Sequence, residues 1–208
     1  MRRCPVVPVV EDKRAYGVLP NYRTAELDSP FKPLTGKQKM TIAAKDSFDG
    51  AVYPTALIMS VIYQAENANP SFGQGFKGYA KRAGTALADQ IVGNMMTEAI
   101  FPVWLKEDPR YFRKGSGSGM SRLGYAMSRV FVTRTDGGGS RFNYSEWVGN
   151  ATTVAISNGY YRDNRDWEDN TEKLVTAVGI DMFSDILKEF WPDFKRRFIK
   201  RHHADDSH

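Results

Sequence analysis

Cysteine is nearly missing from this chain. Its one copy, Cys4, allows no disulfide framework, no thiolate metal cluster and no redox pair within the chain. "MRRC" also lacks the small, apolar residues that precede a lipid-modified cysteine. Histidine is as scarce. His202, His203 and His208 all fall at the C-terminal end, so the helical text contains no imidazole to act as general base or metal ligand. No apolar run reaches the ~18 residues of a membrane span, because Asp89, Gln90, Asn94 and Glu98 break the best candidate. "PVVPVV", after Arg2 and Arg3, is too short and too rich in proline for the apolar region of an export signal.

What is present points to a folded chain. Of 208 residues, 41% are hydrophobic and 12% aromatic, which excludes wholesale disorder and allows one domain with a proper core. The net charge of +5 is largely local, because Lys195, Arg196, Arg197, Lys200 and Arg201 crowd into one stretch.

Prolines deny a useful helix to 1–33, which reads as an extended arm. Over 34–69, Met40, Ala43, Ala44 and Phe48, then Leu57, Ile58, Val61, Ile62 and Ala65, recur at three- and four-residue steps. That spacing predicts a helix pair, or one helix kinked near Pro54. A second long helix is expected over 75–105, bent near Pro102, and a third over 120–130. "VFVTRTDGGGSRFNY" alternates β-branched and aromatic residues around a glycine turn, which predicts a β-hairpin over 130–143. Asn143 and Glu146 have the spacing of a capping box for the helix that follows. The last helix, 171–190, is expected to bury Leu174, Val178, Met182, Phe183, Ile186, Leu187 and Phe190, with Pro192 interrupting it. The sequence therefore reads as a mainly α, single-domain helical bundle over 34–191, with the arm before it and a basic amphipathic tail over 192–208.

One segment occurs twice. "VGNMMTEAI" (92–100) and "VGNATTVAI" (148–156) agree at six of nine positions, and "GYA" precedes both. An internally duplicated helical unit, its second copy opened by the hairpin, accounts for this. Two small-residue rows, Ala80, Gly84, Ala88 and Ala151, Ala155, Gly159, are expected to let helices approach closely. Asn94 and Asn150 are placed to pair across the repeat.

Few motifs carry chemistry. "GQGFKG" matches a dinucleotide fingerprint in spelling, yet follows a helix end and not a buried strand, so a glycine-rich link is the better reading. "HHADDSH" reads as a solvated tail before it reads as a metal site, and no cofactor or metal is expected. In "KEDPRYFRKG", Glu107, Asp108, Arg110, Tyr111 and Arg113 could bind a phosphate or sugar, or do acid–base work; the plainer reading is a salt-bridged helix exit. In the tail, Trp191, Phe194 and Phe198 sit beside Lys195, Arg196, Arg197, Lys200 and Arg201, as in helices that lie on anionic membranes. The alternative is aromatic core under a solvated cationic cap. A basic tail alone argues poorly for nucleic acid.

Seven blocks in order, "PNYRT", "PLTGKQKMTIAAKDSFD", "NPSFGQGFKGYAKRAG", "GNMMTEAIFPVWLKEDPRYFRKG", "SRVFVTRTDGGG", "FNYSEWVGN" and "LKEFWPDFKRR", resemble a mostly uncharacterised family of bacterial, acidobacterial-type secreted or envelope proteins. The resemblance spans about 20–197. It implies export to the envelope or periplasm, with an export signal expected upstream of Met1, and it supplies no catalytic residues. The expected function is a non-enzymatic accessory or scaffolding subunit, docked on a membrane surface or a membrane protein complex beside other protein subunits. An envelope hydrolase, or a lipid- or sugar-modifying enzyme using the Glu107 to Arg113 cluster, is the alternative.

Overall fold

In the computed structural model, residues 23–27, 30–50 and 52–194 are described with their side chains, and 14–15, 19–20 and 195–205 by backbone alone. The fold is mainly α. Within the arm, strands β1 (Arg14–Ala15) and β2 (Leu19–Pro20) pair antiparallel, and β3 (Thr24–Glu26) follows.

Helix α1 (Gly36–Ser47) starts at a complete capping box: the Thr35 hydroxyl accepts from the Gln38 amide, and the Gln38 side chain accepts from the Thr35 amide. Helix α2 (Val52–Ala65) completes the expected pair, with Pro54 in the first turn, where its missing N–H costs nothing. A 3₁₀ turn, Pro70–Phe72, and two glycines of positive φ, Gly73 and Gly75, carry the chain into α3 (Gly75–Asn94). "GQGFKG" is thus a link between helices. Its last glycine, Gly78, is forced: a Cβ there would lie 2.1 Å from the Gly73 carbonyl oxygen.

Residues 75–105 are helical without a non-helical break. Their hydrogen-bonding pattern changes in a π-helical segment, Met95–Ile100, and not at Pro102, which sits in the first turn of α4 (Phe101–Leu105). "EDPRYFR" then departs from the expected helix exit, forming β4 (Glu107–Asp108) and β5 (Tyr111–Arg113). Strand β5 pairs in parallel with β3, so the arm is stitched to the body. After α5 (Gly119–Ser128), the expected hairpin appears as β6 (Val132–Thr135) and β7 (Ser140–Phe142), with β4 on the outer side of β6. Buried Lys39 of α1 holds the hairpin turn, donating to both Asp136 oxygens at 2.8 Å and to the Pro102 carbonyl at 3.1 Å.

Helix α6 (Tyr144–Ser157) is capped by Asn143, whose Oδ1 accepts from the Glu146 amide at 3.2 Å. Only half of the expected box forms, because the Asn143 amide donates instead to the Phe131 carbonyl and Glu146 turns inward. Helix α7 (Trp167–Asp205) runs through Pro192 without a break. Arg122 of α5 grips it on both sides of the proline, at Glu189 and Asp193, which offsets the lost backbone bond.

The repeated segments pack on each other, through different residues from those expected. A Cβ on Gly149 would lie 2.8 Å from Thr97 Cγ2, and one on Gly93 would meet Thr153 Cγ2 at 3.9 Å, so each copy sets its glycine against the threonine of the other. The small-residue rows face outward or lie half-buried: Ala80, Gly84, Ala151, Ala155 and Gly159 are exposed. Nor do the asparagines pair, since Asn94 bonds Gln90 while Asn150 bonds Glu146 and Asp181.

The interior is also not the one that apolar periodicity predicts. Among the described residues, nineteen buried side chains are polar or charged and eleven are hydrophobic, most of the latter small, so charge rather than oil fills the centre. Among the described residues of α7 the buried positions are Val178, Asp185 and Glu189, whereas Phe183, expected inside, is 60% exposed. Asp181, Asp185 and Glu189 stand four apart, one above another on the inner face; Asn150 bonds Asp181 and Arg122 bonds Glu189 from the neighbouring helices, which favours this rotation. Leu57, Ile58, Val61 and Ile62 of α2 face outward, as do Val148 and Ile156 of α6. No helix of the described residues is long and apolar enough to cross a membrane.

Candidate functional site

Two ionic clusters occupy the interior. The first centres on Glu189, which is wholly buried. Its carboxylate accepts from Arg122 Nε at 2.7 Å, the Tyr111 hydroxyl at 2.7 Å, and the Lys114 and Gly115 amides at 2.9 Å each. Its backbone carbonyl accepts from Arg122 Nη2 at 2.6 Å and Arg113 Nε at 3.2 Å. Burial pushes this carboxyl up, but Arg122, Tyr111 and the two amides outweigh it and hold the group below its ordinary range. Burial and the same carboxylate drive the Tyr111 phenol upward. Glu189 is therefore a fixed anion that ties α7 to α5 and β5.

The second cluster surrounds Arg23, delivered from the arm by the β3–β5 pairing. Arg23 Nη1 donates to Glu98 Oε1 at 2.5 Å, and Nε to the Pro109 carbonyl at 3.3 Å. Asp46, Glu146, Asp181 and Asp185 complete an acid-rich ring, with Lys188 bonded to Asp185 at 3.0 Å. Burial pushes three of these carboxyls, Asp46, Glu98 and Glu146, toward their neutral forms. Burial, opposed by Arg23 and reinforced by Asp46, pushes Glu98 up to about 8. Asp46 is raised mainly by burial, and Glu146 is raised well above the usual carboxylate range by burial and by Asp181. The Asp46 and Glu98 carboxyl groups are hydrogen-bonded to each other, which holds Asp46 down against its burial.

A pH dependence follows. The raised Glu98 favours the folded state fully below its unfolded pKa of about 4.3, and that contribution is lost as pH rises through about 8. Thermal unfolding at pH 5 and pH 8 is expected to show lower stability at pH 8, with the difference reduced in Glu98→Gln. An unchanged difference in that variant would assign the slope to other groups.

Of the residues singled out from sequence, Glu107 is buried, accepting from Arg141 Nε at 2.7 Å and from the Ser145 amide at 2.7 Å. Asp108 takes a bidentate pair from Arg110, at 2.9 and 2.6 Å. Tyr111 and Arg113 belong to the Glu189 cluster, and Arg113 also pairs with Glu26 at 2.8 Å. The five residues are therefore divided among three ion-paired groups. In the tail, Trp191 is half-buried and Phe194 is 57% exposed. Side chains of Lys195, Arg196, Arg197, Phe198, Lys200 and Arg201 lie outside the described residues.

Between the clusters lies a cavity of about 40 Å³, lined in part by Glu107, Asp108, Arg110 and Tyr111 and by neither Asn94 nor Asn150. Among the described residues, no group of three or more acids, histidines or cysteines is arranged to hold a metal ion. Sequence reasoning missed Glu189, Arg122, Arg23 and Glu98 as interior charges. The four-residue spacing of Asp181, Asp185 and Glu189 was a usable signal, whereas nothing local marks Arg23. No family model, curated protein or solved structure matches the chain.

Proposed function

We propose that the chain is a non-enzymatic accessory or scaffolding subunit of the cell envelope, docked on a membrane surface or on a membrane-embedded protein complex. One observation supports this above the others: α2 is apolar on nearly every side and largely uncovered. It packs along α3, and only its small residues Ala56 and Ser60 are buried, while Leu57, Ile58, Val61 and Ile62 are exposed at 44, 62, 57 and 42%. Burying such a side chain completely contributes about 1.5–3 kcal/mol. A contiguous apolar helix face of this kind marks a surface that meets lipid or protein. Charges turned inward and apolar groups outward are what an apolar surrounding favours. Enzymatic use of the Glu107 to Arg113 region has less support, since its carboxylates are engaged by Arg141, Ser145 and Arg110.

Vesicle flotation tests the proposal. The full chain is expected to float with vesicles, or to co-purify with a membrane complex after crosslinking in cells. Replacing Ile58, Val61 and Ile62 together by lysine should reduce either association at least tenfold and leave helical circular dichroism unchanged. Attachment through α2 persists in 1 M salt, where screening shortens to about 3 Å; attachment through the basic tail does not. A wild-type chain that neither floats nor co-purifies sinks the proposal.

A further inference from the structure

The cavity beside β4 and β6 is lined by two arginines with which no carboxylate of the described residues forms an ion pair. Its other ionic groups have partners: Arg23 is hydrogen-bonded to Glu98, Arg110 pairs with Asp108, Arg141 with Glu107, and Lys188 with Asp185. Glu146 is bonded to Asn150 and is held toward its neutral form by burial and Asp181. Arg129 and Arg134 remain, and no carboxylate lies within ion-pair distance of either among the described residues. Both guanidinium groups are fixed by aromatic rings. Arg134 Cζ lies 4.8 Å from the Phe31 and Phe112 centroids, and Arg129 Cζ lies 4.5 Å from that of Tyr125. Arg129 Nε and Arg134 Nη1 are shut off from solvent and have no acceptor. The cavity is therefore lined by two guanidinium groups that have no ion-pair partner among the described residues, and an anionic group entering it would supply one.

We propose that this cavity binds a phosphoryl group, through Arg129 and Arg134. Guanidinium groups recognise phosphate oxygens through paired N–H donors and do so best where water is excluded. The volume, about 40 Å³, holds about three water-sized oxygens, the number of terminal oxygens on a phosphoryl group. The same chemistry is offered by free phosphate and by the headgroup of a phosphomonoester lipid. Binding free phosphate needs no membrane, so the assignment stands or falls apart from the docking of α2.

The test uses the full chain and inorganic phosphate, followed by ³¹P line broadening and by thermal unfolding against sodium chloride at equal ionic strength. The wild type is expected to show saturable binding and a phosphate-specific rise in melting temperature. Arg129→Gln and Arg134→Gln should each weaken binding at least tenfold, whereas Arg162→Gln, at an exposed position away from the cavity, should leave it unchanged. If either cavity variant fails to fold, phosphate line broadening with the wild type still decides. In a second arm, vesicles of phosphatidic acid are compared with vesicles of phosphatidylcholine. An arginine-dependent preference for the former assigns the lipid headgroup as the source, and phosphate binding without that preference assigns the free anion. Absence of saturable phosphate binding together with absence of the vesicle preference overturns the proposal and leaves water in the cavity.

Discussion

Replacing Glu189 by alanine is expected to cost about 3–5 kcal/mol of folding stability, the usual penalty for removing one partner of a buried ion pair. The carboxylate is the acceptor for Arg122, Tyr111 and the Lys114 and Gly115 amides, so its loss strands four donors at once. Arg122→Ala should be nearly as harmful. In the double variant the two costs should fall well short of adding, because each single change already breaks the same bond. Glu189→Gln keeps the shape and one acceptor oxygen and belongs between the wild type and alanine. Urea unfolding with circular dichroism reads all four; a Glu189→Ala midpoint close to that of the wild type would remove this residue from its central position. Acid adds a second reading. Because Glu189 is held below its ordinary range, its contribution is present above the unfolded pKa and fades as pH falls through the folded one.

The second large effect is steric. Gly149→Val places a Cβ 2.8 Å from Thr97 Cγ2 and 3.1 Å from Thr97 Cα, and the backbone atom cannot rotate away. Overpacking of this kind costs about 1–3 kcal/mol or more, which in a chain of this size lowers the melting temperature by at least about 2–4 °C per kcal/mol. With Gly149→Ala the Thr97→Ser change, which deletes Cγ2, should restore part of the loss. Gly84→Ala is the control: nothing lies within 4 Å of its added Cβ, so the helix should be unharmed or slightly stabilised. A Gly149→Val chain as stable as the wild type would show that the repeated segments do not meet as closely as the fold places them.

Element type was largely legible in the sequence because it depends on local spacing. The helices over 36–65 and 75–105, the hairpin and the Asn143 cap all announce themselves within a dozen residues. Which face turns inward was not legible, since the rule that apolar residues go inside fails for α2 and α7. Phe183 and Ile58 are exposed while Glu189 and Lys39 are buried. The partners that make those buried charges tolerable stand far off in sequence, Arg122 at 67 positions from Glu189 and Arg23 at 75 from Glu98. The strand character of Tyr111–Arg113 was hidden for a similar reason, because its partner, Thr24–Glu26, lies in the arm. Pro192 misled in the opposite sense: its helix-breaking tendency is local, and the grip of Arg122 around it is not.

The glycine–threonine contact between 92–100 and 148–156 has a further consequence. A contact made twice with the roles exchanged is the contact of a twofold axis, the kind two identical chains share when they dimerise. Carrying both halves on one chain replaces an association that depends on protein concentration by one fixed by the connecting segment. It also frees the halves to differ. Glu98 in one copy stands where Val154 stands in the other, so an acid faces Arg23 on one side only, an asymmetry that a dimer of identical chains could not hold.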